Sequence, residues 1–132
     1  MLQMLEMAAR FHDSASRAFN GLSPPAEEIV YQNLCYAVEL GLKAFVRANS
    51  WSDDRCRREI RHDLVKAYRA AEDAGLTALD AETVRMLVIL TPFYSRHAID
   101  EFVRGGQSGL NPARSLLLAG SLLDRVRRSL EE

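Results

Sequence analysis

Residues 26–49, AEEIVYQNLCYAVELGLKAFVRAN, decide the fold. At 100° per residue Glu28, Gln32, Glu39 and Lys43 fall within roughly 60° of helical arc. The remaining circumference is Ile29, Val30, Leu34, Tyr36, Ala37, Val38, Leu40, Leu42, Ala44, Phe45 and Val46. A helix with so narrow a wet strip has to be covered on several sides by other helices. Ser23 and Pro24-Pro25 supply a cap and a first-turn proline for its start.

The flanking segments read as those covers. From Leu2 to Phe19 a stripe of Met4, Ala8, Phe11, Ala15 and Ala18 predicts an amphipathic helix stopped at Asn20-Gly21. Ser50 or Ser52 can cap a third segment, Asp53 to Ala74, with Asp53 and Asp54 in its first turn. Its stripe is Cys56, Ile60, Leu64, Ala67 and Ala71, and no glycine or proline interrupts it before Gly75. Local propensity therefore predicts one helix there, with Arg61-His62 as the place for a kink. Asp80 caps a fourth segment whose Val84, Leu87, Val88, Ile89 and Leu90 precede Pro92. That proline predicts a kink, or a new piece capped by Thr91 and running to Val103. Asn111-Pro112 opens a last helix through Leu130, where Leu116, Ala119, Leu123, Val126 and Leu130 are widened by Leu117, Leu118 and Leu122. The surplus predicts burial on two sides, a second subunit included. The fold class is all-α: an up-down bundle of four or five helices, one domain over residues 1–132.

A net charge of −1 gives the whole molecule no general attraction to nucleic acid or anionic membrane. Charge is nevertheless uneven. Between Arg55 and Arg69 six cations (Arg55, Arg57, Arg58, Arg61, Lys66, Arg69) face only Glu59 and Asp63. On a continuous helix His62 points about 160° from the apolar stripe, onto the face of Arg55, Arg58, Lys66 and Arg69. That arrangement suits a phosphate or another anion; the plainer alternative is a solvated face of ion pairs one turn apart. His97 reads as a half-buried packing residue beside the proline, His12 as uninformative, and Glu39 with Lys43 as an i,i+4 pair. Three histidines on separate segments give no metal site, and no cofactor is expected. Cys35 and Cys56 read as buried thiols of a reducing compartment. No signal peptide and no run near the ~18 apolar residues of a membrane span is found, so a cytoplasmic location is expected.

The combination of Ala37-Val38-Glu39-Leu40-Gly41-Leu42-Lys43-Ala44-Phe45, a polar linker, and His62-Asp63-Leu64-Val65-Lys66-Ala67 leading to Ala74-Gly75-Leu76 resembles the HEPN superfamily. The resemblance covers mainly Tyr31 to Leu76, and the run Pro92-Phe93-Tyr94-Ser95-Arg96-His97 adds to it. It implies a small helical domain, often a homodimer. Many such proteins are metal-independent, toxin-like ribonucleases with an Arg-x4–6-His motif near the start of a late helix, paired across the dimer. Here Arg57-x4-His62 and Arg55-x6-His62 match the spacing, but in the third segment. Other members bind nucleotides or protein partners, or accompany a nucleotidyltransferase. A binding or regulatory role without assignable catalysis is the expectation, with the ribonuclease as alternative. A histidine phosphotransfer domain is a second alternative, although lysine stands four residues after His62, not three.

Overall fold

A computed structural model describes residues 2–21, 26–106 and 109–131. They form seven helices and no strand: α1 (Leu2–Gly21), α2 (Glu27–Ala48), α3 (Asp53–Glu59), α4 (Leu64–Asp73), α5 (Ala81–Tyr94), α6 (Ile99–Arg104) and α7 (Pro112–Glu131). The chain is all-helical, as its periodicity predicts. The expected cap Ser23 and Pro24-Pro25 lie outside the described residues.

Helix α2 is the hub, packed against α1, α4, α5, α6 and α7. Its Val30, Tyr31, Leu34, Cys35, Ala37, Val38, Leu42, Ala44 and Val46 are all fully buried. Gly41 brings α7 close, since a Cβ there would stand 2.4 Å from a methyl of Leu123. On α1, Ala8 and Ala15 are buried while Met4, Phe11 and Ala18 pack at the core margin. His12 reaches from α1 to the Leu116 carbonyl of α7 at 2.8 Å. Both cysteines are free and buried.

Capping follows the residue chemistry: Ser52, Asp63 and Asp80 accept from the backbone N–H three residues on, and Asn111 accepts likewise from Arg114. Three chain reversals share one device, a bond from the residue after a left-handed one back to the carbonyl five before it. It closes α2 through Ser50 (Trp51 to Val46), α4 through Gly75 (Leu76 to Ala71) and α5 through His97 (Ala98 to Phe93).

Three expectations are corrected. Residues 53–74 are two helices, broken at 60–63. Asp63 caps α4 and the side chain of His62 bonds to α2, so tertiary contacts override a propensity that contained no breaker. The stripe survives the break: Cys56, Ile60, Leu64, Ala67 and Ala71 are all buried. Helix α5 carries Pro92 in its last turn and ends at Tyr94, so the interruption falls at 95–98 instead of before the proline. In α7 Leu118 and Leu122 are buried within the chain, and Leu117 is exposed. Finally, the open side of α2 is rotated from the expected strip. Glu39 is buried, whereas Ile29 and Tyr36 are exposed.

Candidate functional site

Glu39 is a carboxylate on the most buried helix of the protein, only 5% exposed. Such a group is tolerated where donors replace its water. Three do. Lys43, one turn on, donates its Nζ; Tyr94, from the end of α5, donates its hydroxyl at 2.5 Å; and Nδ1 of His62, from the 60–63 turn, lies 2.8 Å from Oε1. Burial pushes the Glu39 carboxyl up, but the bonds from Lys43, Tyr94 and His62 outweigh it and hold the group below the usual glutamate value. The Tyr94 hydroxyl moves the other way, raised by burial and by the Glu39 charge, so it stays protonated and donates.

These shifts fix the roles. An ionised carboxylate can only accept, so His62 Nδ1 carries the proton, and in the neutral ring Nε2 holds the lone pair. His62 is half-buried, its side chain 44% exposed. Its ring stands edge-on to Tyr94, with centroids 5.6 Å apart, and to His97, at 5.3 Å. His97 is exposed, contrary to the half-buried packing role expected of it. Tyr36 extends the aromatic margin, 5.9 Å from Tyr94 and 5.1 Å from Phe11. Arg61, His62 and His97 all adopt left-handed backbone, at φ 48°, 64° and 58°. Non-glycine residues enter that region at a cost, and such strain collects at functional turns.

The basic residues expected around His62 divide into two groups. Arg55, Lys66 and Arg69 converge on a second feature, a groove of about 310 Å³ lined also by Trp51, Glu59, Ile60, Ala70 and Asp73. The Arg55 guanidinium lies 3.6 Å over the Trp51 ring and pairs with Glu59 at 2.8 Å. Lys66 and Arg69, three residues apart on α4, show no ion pair among the described residues. Arg57 and Arg58 are occupied on their own helix, by Asp53 at 3.6 Å and Asp54 at 2.8 Å. His62 is absent from the groove lining because the chain break turns it toward Glu39. A helix-face reading of positions 53–74 therefore joins what the fold separates. Glu39, Tyr94 and His97 lie inside stretches that carry the resemblance, but nothing in those stretches marks them as neighbours of one another or of His62. Tyr94 alone leaves a trace, as a tyrosine on the buried Met86–Leu90 face whose hydroxyl needs a partner.

Comparison with family models, curated proteins and solved structures finds no match to this chain. Among the described residues no helix is long and apolar enough to cross a membrane. Nor, among them, does any group of three or more His, Cys, Asp or Glu side chains suit a metal ion.

Proposed function

We propose that this chain is a HEPN-like helical binding protein that takes a nucleotide or RNA phosphate in the groove of Trp51, Arg55, Lys66 and Arg69. The observation that carries the reading is the convergence of Lys66 and Arg69 with Arg55 beside an indole. Lys66 and Arg69, cations without a carboxylate partner among the described residues, suit phosphate oxygens, and the planar Arg55 guanidinium stacked on the indole suits a base laid over it. Glu59 and Asp73 on the rim leave the groove only modestly positive, which fits a single nucleotide better than a long duplex. The homodimer implied by the resemblance is part of this proposal. Contiguous Met7, Phe11 and Tyr36, with Ile29 two turns along the same side of α2, support it as an apolar face on α1 and α2.

The ribonuclease is kept as a second reading because the Glu39 bond leaves Nε2 of His62 able to take a proton. Arg57, the other member of the motif, is engaged by Asp53. Trp51 is the only tryptophan, so its fluorescence reports the groove directly. Titration with ATP and with a short labelled RNA is expected to quench it saturably, and Lys66→Glu with Arg69→Glu to abolish the quench. Unchanged fluorescence in both titrations overturns the binding reading. His62-dependent cleavage of the same RNA establishes the second.

A further inference from the structure

Two carboxylates line the groove of Trp51, Arg55, Lys66 and Arg69. Glu59 is engaged by Arg55 at 2.8 Å, whereas Asp73 has no ion pair or side-chain hydrogen bond among the described residues. We propose that Asp73 selects the base of the bound nucleotide, and that this base is guanine. The inference rests on the nucleotide reading of the groove and names the substrate class of that same site.

Three observations carry it. The first is that Asp73 stays open where its spacing offers closure. On α3 all the charged residues close into i,i+4 pairs, Asp53 with Arg57, Asp54 with Arg58 and Arg55 with Glu59. Arg69 and Asp73 have the same spacing on α4, in the same order as Arg55 and Glu59. Both line the groove, and among the described residues they do not pair.

The second is that the helix gains nothing from this charge. Asp73 is the last residue of α4, where a carboxylate opposes the helix dipole, and no basic residue stands in that turn to offset it. The neighbouring Glu72, by contrast, accepts from the Tyr68 hydroxyl at 2.8 Å.

The third is the layout of the groove. Lys66, Arg69, Ala70 and Asp73 line it from one face of α4, and Lys66 and Asp73 stand about 10.5 Å apart along the axis. Lys66 lies next to the 60–63 turn that joins α4 to α3, and Asp73 lies at the opposite end of its helix. Trp51 likewise precedes the start of α3, away from the turn. Lys66 and Arg69 can therefore take the phosphate while the base lies on the Arg55–Trp51 stack with its edge toward Asp73.

An ionised carboxylate only accepts, through two oxygens side by side. Among the common bases guanine alone presents two adjacent donors on one edge, N1–H and the N2 amino group. Adenine and cytosine each present one amino donor beside a ring-nitrogen lone pair, and uracil presents one N–H between two carbonyls. Each of these turns an acceptor toward a carboxylate oxygen, and that mismatch costs affinity.

The test titrates the full chain with GMP, IMP and AMP and follows the fluorescence of Trp51, the only tryptophan. GMP is expected to bind about tenfold or more tightly than AMP. IMP, which keeps N1–H and lacks the amino group, is expected to fall between them. Asp73→Asn is expected to fold as the parent does, because the position is exposed and its charge opposes the helix dipole. The new amide offers one acceptor and one donor, which match N1–H and O2 of xanthine. The variant is therefore expected to lose about tenfold or more in GMP affinity, to bind AMP no more weakly than the parent, and to gain affinity for XMP. Equal affinity of the parent for GMP and AMP overturns the inference and leaves the nucleotide reading of the groove standing. So does a preference for GMP that survives in Asp73→Asn. Failure of every nucleotide to bind saturably overturns both.

Discussion

Replacing Glu39 with alanine tests the hub of the structure. The carboxylate accepts from Lys43, whose side chain is 15% exposed, from the buried Tyr94 hydroxyl and from His62. Removing it strands an ammonium and a phenol in the interior. Breaking a buried ion pair from one side costs about 3–5 kcal/mol, and an orphaned hydroxyl adds to it. The half-exposed His62 regains water and adds little. Lys43 can stretch toward solvent, which keeps the total near the middle of the range, about 4 kcal/mol. An unfolding entropy of about 2.1 cal/mol/K per residue makes each kcal/mol worth about 3.6 °C in a chain of 132 residues, so the midpoint falls by about 14 °C. Glu39→Gln keeps an oxygen for Tyr94 and His62 and is expected to lose about half as much. The pH dependence has a definite sign. The folded carboxyl titrates below its unfolded value, so its contribution is complete above about pH 4.3 and disappears as pH falls through the lower folded value. The gap between parent and Glu39→Gln, followed by circular dichroism melts, therefore narrows below about pH 4.3. A loss under about 1 kcal/mol for Glu39→Ala, or a gap that widens in acid, refutes the shared buried carboxylate.

Gly75 sits at φ 113°, so Gly75→Ala is expected to cost about 1–2 kcal/mol by thermal denaturation although nothing crowds its Cβ; a neutral result contradicts the left-handed closure of α4. Asp63→Ala removes the cap of α4 at about 1 kcal/mol. Amide exchange is expected to accelerate in the first turn of α4 in that variant and to stay unchanged in α7.

The fold was legible wherever the pattern is local. The narrow wet strip of residues 26–49 announces a helix covered by others, and Ser52, Asp80 and Asn111 cap where their side-chain chemistry says they should. The site was not legible, because each of its parts depends on a contact between distant segments. Glu39 reads as a surface charge until His62 and Tyr94 are brought onto it. Ile60 to Asp63 holds no glycine or proline, and the chain breaks there because Asp63 caps α4 and His62 bonds to α2. His97 reads as packing because its left-handed backbone, which sends the ring outward, comes from the closure of α5 and leaves no mark in composition. Of the expected set Arg55, Arg58, His62, Lys66 and Arg69, one groove is lined by Arg55, Lys66 and Arg69, while Arg58 is engaged by Asp54 and His62 turns to another surface.

The tautomer of His62 puts the account to its most direct trial. Long-range proton–nitrogen NMR correlation of the imidazoles above neutral pH assigns the protonated nitrogen in each ring. Bonding to Glu39 requires His62 to carry its proton on Nδ1, with Nε2 showing the shift of a bare lone pair. Glu39→Ala is expected to release that preference. A parent His62 protonated on Nε2, or one averaging between tautomers as a free imidazole does, would contradict it.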